Sequence, residues 1–177
     1  MQRDWEYTNN NYFFKNMTNE EFKAQQRSIE DIKLLISELC QRMPYDIKLQ
    51  KCGEEDSVYK LYSIDLENHK IFYWAYQGKA LRIADCGKIH RYRILRYKPY
   101  LYPLSSMTEE QYEEFKIVSG LDADLDSIRR GEFSLIGDIA IDCIVDAIEW
   151  FNKNHFDYRE LISLGLAIDA TGLGIYK

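Results

Sequence analysis

The sequence predicts one α+β domain, in which a mainly antiparallel meander sheet of about five strands is packed by N-terminal and C-terminal helices. Three observations predict this fold. Residues 28–43 have apolar side chains at three- and four-residue steps, which is the period of an amphipathic helix. Residues 45–97 alternate short β-branched and aromatic runs with turn residues. Residues 137–154 return to helical periodicity, so the predicted strands lie between two helical regions.

The first helix has two candidate starting points. Residues 1–17 are polar and aromatic without a period, so we expect an irregular arm before a single domain at residues 18–177. Thr18 and Ser28 are each followed within three residues by carboxylates, a pattern typical of helix N-termini. The helix is expected to end before Pro44, because a residue that precedes proline avoids the helical conformation.

Five short runs predict the sheet, and turn residues separate them. Connections this short favour antiparallel hairpins over parallel crossovers. The third run is apolar on both faces, which predicts a strand in the interior of the sheet. The runs are residues 45–51, 58–65, 71–76, 80–85 and 89–97.

The chain beyond the sheet is predicted to be a connector followed by helices. Residues 98–107 contain two prolines and are expected to be extended. Thr108 begins a capping-box pattern, and Gly120 can end that helix. Residues 121–134 are acidic and only weakly periodic, which predicts a loop with at most a turn of helix.

The strongly apolar helix predicted at residues 137–154 also carries a row of carboxylates. Their spacing of four, four and three residues places them on one side of the helix. A divalent metal site and an acidic strip for a basic partner are the functional interpretations, and a solvated row or internal salt bridges is the structural one. The four residues are Asp138, Asp142, Asp146 and Glu149.

A basic and aromatic segment at residues 88–98 is the second candidate site. Basic groups can neutralise phosphates while aromatic rings stack on bases, so the segment could bind nucleic acid. On a strand, however, alternate residues would face opposite sides and divide the positive charge. An edge strand that resists aggregation is therefore the competing interpretation. The candidate contact residues are Arg91, Arg93, Arg96 and Tyr97.

A third cluster at residues 154–160 combines imidazole, carboxylate and guanidinium groups. It could orient a general base, but no recognisable nucleophile motif accompanies it. The structural interpretation makes His155 a packing residue and Asp157 the cap of a short last helix that ends at Gly165.

Composition limits the functional classes. Residues 1–103 carry 17 Lys and Arg against 14 Asp and Glu, whereas residues 104–177 carry 6 against 15. This asymmetry points to charged surfaces that meet each other or a partner. No secretory signal, membrane span or paired-cysteine motif is visible, so we expect a cytoplasmic protein without a membrane partner, cofactor or metal.

Two stretches of the chain are recognisable sequence motifs, namely KPYLYPLSSMTEE at residues 98–110 and NHFDYRELISLGLA at residues 154–167. Together they resemble a group of uncharacterised small proteins of Bacteroidetes genomes and their phages, which carry KPYLxPLSSMTEEE and HxDYRxLIxxGLAL runs. The resemblance implies a bacterial or phage context. It implies no activity, substrate or catalytic residue.

Three functions follow as hypotheses. The favoured one is a non-enzymatic accessory protein of a phage or mobile element that binds a macromolecular partner, with a protein as the expected partner and inhibition of a host enzyme or defence system as the expected effect. The second is a nucleic-acid-binding module that uses residues 88–98. The third is a metal-dependent hydrolase.

Overall fold

The structure is a computed structural model, and it describes residues 19–53, 58–65, 70–75, 81–85, 91–121, 123–132 and 141–176. The predicted arm at residues 1–17 and the predicted site residue Asp138 lie outside these described residues. Helices and a mostly antiparallel open sheet make up the fold, so the predicted α+β class is confirmed. We number the helices α1–α4 and the strands β1–β7 in chain order.

Helix α1 is described over Asn19–Arg42, so the candidate start at Thr18 lies outside the described residues. The candidate start at Ser28 was wrong, because Ser28 lies within the helix and no proline or glycine interrupts the segment. As predicted, the helix ends before Pro44, which lies in the short 3-10 helix Met43–Tyr45. Asp46 then adopts a left-handed conformation at φ 64° and turns the chain toward the sheet.

The sheet has seven strands among the described residues, in the order β4-β3-β2-β1-β5-β6, with β7 also paired to β5. The first four strands pair antiparallel in sequence order, which is the predicted meander. The third strand lies between two neighbours, in the interior position that its apolar residues predicted. The strands are β1 (Lys48–Lys51), β2 (Val58–Asp65), β3 (Lys70–Ala75), β4 (Leu81–Asp85), β5 (Tyr97–Pro103), β6 (Phe156–Asp157) and β7 (Ile168–Asp169).

The prediction for the fifth strand was wrong. Arg91–Arg96 forms a 3-10 helix, and the strand is β5, which occupies most of the predicted connector. Strand β5 pairs antiparallel with β1 and parallel with β6 and β7. Its two prolines lack an amide hydrogen, and other residues of the strand supply its pairing: the Tyr102 amide donates to the His155 carbonyl, and the Leu101 carbonyl accepts from the Ala170 amide.

The remaining helices are α2 (Glu109–Ser119), α3 (Leu125–Arg129) and α4 (Ile141–Lys153). The predicted capping box at Thr108 is present, and Gly120 ends α2 at φ 64°, so both local predictions are confirmed. Helix α3 is the turn of helix predicted within the acidic loop. Helix α4 is described from Ile141, which leaves the start of the predicted segment 137–154 outside the described residues.

Buried apolar residues form two clusters. The first lies between α1 and the sheet and includes Leu35, Leu39 and Leu101. The second joins α2, α3, α4 and β6 around Phe115 and Phe151. Because β5 and the chain that follows it contribute to both, this strand connects the two halves of the core. None of the helices in the described ranges combines the length and apolar character that crossing a bilayer requires.

Candidate functional site

Helix α4 has one face in the core and an apolar pair on the opposite face. On the inner face, Trp150 and Phe151 are buried, as the helical period of the apolar residues requires. On the outer face, Ile141 is 76% exposed and Val145 is 54% exposed, one helical turn apart. Helix α4 therefore presents two neighbouring large apolar side chains to solvent.

The carboxylate row lies beside this apolar pair. Asp142 and Asp146 are exposed and form no ion pair or hydrogen bond with any residue that the structure describes. Glu149, also exposed, accepts a 3.2 Å hydrogen bond from the Tyr45 hydroxyl. Burial, followed by this contact with Glu149, raises the pKa of Tyr45. No salt bridge joins the described members of the row to Arg96 or Lys98, the basic side chains of residues 88–98 that the structure describes.

Aromatic packing holds α4 in place. The Phe115 ring of α2 stacks on Phe151 at 4.8 Å between ring centroids and meets Trp150 edge-on at 5.2 Å. Trp150 also stacks on Phe156 of β6 at 5.6 Å. These contacts fix the rotation of α4, so its outer face is defined by the core on the other side.

The end of α2 adds exposed apolar side chains close to α4. Ile117 is 81% exposed and Val118 is 46% exposed. A Cβ placed on Gly120 would lie 3.6 Å from the Cys143 sulfur, which shows how closely this end of α2 approaches α4. Exposed apolar residues therefore occur on both helices of this pair.

The basic segment differs from its prediction. Because Arg91–Arg96 is a 3-10 helix, the alternation of faces expected for a strand does not apply to it. Arg96 is exposed, whereas Tyr97 is 5% exposed and packs in the first core cluster. The Tyr97 ring is thus not accessible to a partner. The side chains of Arg91 and Arg93 lie outside what the structure describes.

The cluster at residues 154–160 is buried in its central part. His155 has a positive φ of 58°, and its ring stacks on Tyr176 at 3.7 Å between centroids. Burial, with the nearby Arg42 charge, lowers the pKa of His155 to about 4. A buried neutral imidazole packed against a tyrosine agrees with the structural interpretation of this residue.

Asp157 caps the segment that follows it. Its carboxylate accepts hydrogen bonds from the backbone amides of Leu161 at 2.9 Å and Ile162 at 2.7 Å. Burial raises the pKa of Asp157, and these two hydrogen bonds oppose that effect. Residues 161–165 form turns, so the predicted last helix was wrong although the capping residue was identified.

Sequence reasoning missed a buried ionic cluster on α1. Glu38 and Arg42 are fully buried and lie one turn apart, with Arg42 Nε donating to Glu38 at 3.1 Å. Arg42 also donates to the Phe156 carbonyl at 2.8 Å, and Arg159 donates to Glu38 at 2.9 Å. A signal was available, because an arginine continues the apolar stripe of Leu35 and Leu39 at helical spacing.

The described residues contain no group of three or more His, Cys, Asp or Glu side chains that could hold a metal ion. An open cleft of about 410 Å³ lies at the start of α2, lined by Glu109, Glu110, Tyr112, Glu113 and Leu125.

Comparison with protein-family models, curated proteins and solved structures finds no match to this chain.

Proposed function

We propose that this chain is a non-enzymatic accessory protein that binds a protein partner through the outer face of α4. We define the α4 surface as Ile141, Asp142, Val145 and Asp146. The observation that carries the proposal is the exposure of Ile141 and Val145 on a helix whose opposite face forms the aromatic core. Neighbouring exposed apolar side chains rimmed by polar residues are typical of protein-binding surfaces.

The arrangement of the polar residues supports binding over catalysis. His155 is stacked and buried, and the Asp157 carboxylate is engaged by backbone amides. Arg159 is paired with the buried Glu38. These groups, which could have formed an acid–base site, are instead used to pack the chain between α4 and the C-terminal turns.

The resemblance of residues 98–110 and 154–167 to proteins of Bacteroidetes and their phages supplies the biological part of the proposal. In that setting, a small cytoplasmic protein that binds a host protein would act by inhibiting a host enzyme or defence system. Residues 98–110 build β5 and the start of α2, and residues 154–167 build β6 and the capped turns. Both motifs therefore maintain the fold that presents the α4 surface.

A comparative affinity experiment tests the proposal. The tagged chain is compared with the double variant Ile141→Ser/Val145→Ser and with the control Leu164→Ser/Leu173→Ser. Each protein is crosslinked in host lysate, with and without nuclease, and then purified. The control removes two exposed leucines from the C-terminal turns, with exposed fractions of 42% and 54%. We expect the same protein to be retained by the wild type and the control and lost by the α4 variant. Equal retention by all three would contradict the proposal.

The nucleic-acid alternative has a separate readout in the same experiment. Recovery that disappears on nuclease treatment, together with salt-sensitive binding lost in Arg96→Ser, would replace the α4 proposal with binding at the basic segment.

A further inference from the structure

We infer that the partner element recognised by the α4 surface is a basic amphipathic helix; this inference rests on the proposed function. Two observations carry it. The exposed apolar side chains and the exposed carboxylates form parallel rows on one helix, and the carboxylates have no basic partner among the described residues.

The geometry of the two rows fits a second helix. Ile141 and Val145 are separated by four residues, as are Asp142 and Asp146, so each pair forms a ridge along the axis. Ile141 and Val145 are four residues apart, which is about 6 Å along the axis, so the apolar contact with a partner helix extends over about one turn. A partner's own apolar ridge would pack beside Ile141 and Val145, with the carboxylates flanking the contact.

The negative charge of the α4 surface indicates which side chains a partner helix would place beside the apolar contact. Residues 104–177 carry 6 basic and 15 acidic side chains, so the charge of Asp142 and Asp146 lies within an acidic half of the chain. Lys or Arg on a partner helix would complement this charge, whereas nucleic-acid phosphates would be repelled. A second copy of this chain would bring the same aspartates to the contact. A basic helix is therefore favoured over both.

Two synthetic helical peptides provide the probe. They share the same leucine positions and carry either Lys or Glu at the flanking positions, and fluorescence anisotropy measures their binding to the full chain. We expect the Lys peptide to bind and the Glu peptide to bind far more weakly. Binding of the Lys peptide should weaken as salt rises.

Paired variants locate the binding. Asp142→Asn/Asp146→Asn should weaken Lys-peptide binding about fivefold, because each flanking charge contributes modestly. Ile141→Ser/Val145→Ser should abolish detectable binding. The matched control Glu109→Gln/Glu113→Gln removes two exposed carboxylates at the same four-residue spacing from α2 and should leave affinity unchanged. Circular dichroism of each variant should match that of the wild type, which checks that the variants are folded.

Three other outcomes would contradict the inference. Equal weakening by both carboxylate variants would mean that overall acidity attracts the peptide. Absence of Lys-peptide binding, or equal binding of both peptides, would exclude a basic helix as the recognised element. The proposed function is tested by a different outcome. If a protein from lysate were retained through Ile141 and Val145, the proposed function would stand even if neither peptide bound.

Discussion

The Arg42 guanidinium donates a 3.1 Å hydrogen bond to the Glu38 carboxylate, and neither side chain is exposed to solvent. A second guanidinium nitrogen of Arg42 donates a hydrogen bond to the Phe156 carbonyl, and this bond joins α1 to β6. The Arg42 guanidinium also lies 5.3 Å from the centre of the Tyr158 ring. A buried charge pair of this kind holds distant elements in one arrangement, because either charge alone would be costly to bury.

Removal of Arg42 should therefore be strongly destabilising. We expect Arg42→Ala to lower the free energy of unfolding by about 3–5 kcal/mol, since Glu38 would lose its buried partner. Urea unfolding followed by circular dichroism measures the change. Arg159→Ala is the matched control, because it pairs with the same carboxylate from a side chain that is 41% exposed. If both variants lost the same free energy of unfolding, the burial of Arg42 would not be the reason for its contribution.

Stability should fall as the pH is lowered, and His155 should cause part of the fall. Its pKa is about 4 in the folded chain and 6.5 in an ordinary setting, so the unfolded chain binds the proton first. The resulting decrease in the free energy of unfolding begins as the pH falls through 6.5 and is complete near pH 4. Between pH 7 and pH 5 it amounts to about 2 kcal/mol.

Comparison with His155→Asn isolates this effect. Asparagine tolerates the positive φ at this position, and it does not titrate. The variant should be less stable at pH 7, because it lacks the stack on Tyr176, but it should lose about 2 kcal/mol less between pH 7 and pH 5. Asp157, whose raised pKa acts in the opposite direction, is common to both proteins. Identical pH profiles would contradict the assignment.

The capping box of α2 should have a measurable share in stability. Thr108 accepts a hydrogen bond from the Gln111 amide at 3.2 Å, and the Gln111 side chain accepts from the Thr108 amide at 2.9 Å. We expect Thr108→Ala to cost about 1 kcal/mol in thermal or urea unfolding. Thr108→Ser keeps the hydroxyl and should restore most of the loss. If serine behaved like alanine, the hydrogen bond would not be the cause.

Tyr176 should secure the C-terminal turns. Its hydroxyl donates to the Tyr100 carbonyl at 2.8 Å and accepts from the Lys48 amide at 3.2 Å. We expect Tyr176→Phe to lower stability by about 1–3 kcal/mol, because it removes a buried hydrogen-bonding group. Hydrogen exchange of residues 168–176 should become faster. Tyr112→Phe, which removes a hydroxyl bonded to the Ala123 carbonyl, should leave exchange in that segment unchanged.

Local patterns predicted the parts of the fold that depend on neighbours in the chain. The capping box at Thr108, the left-handed end of α2 at Gly120 and the four-strand meander each follow from residues close together in sequence. The candidate site was predicted less completely. Its carboxylates were identified from their spacing, but the exposed pair Ile141 and Val145 was not, because an apolar helix does not by itself show which of its apolar residues face solvent.

The sequence by itself determined the α+β class, the amphipathic helices and the hairpin-linked strands, because hydrophobic period and turn chemistry act over a few residues. Only the tertiary structure decided that β5 occupies a proline-containing segment and that Arg42 is buried. Strand β5 exists because β1, β6 and β7 supply its hydrogen-bonding partners, and Arg42 is accommodated because Glu38 and the Phe156 carbonyl accept its hydrogen bonds. Most of those partners lie tens of residues away, where no local pattern can specify them.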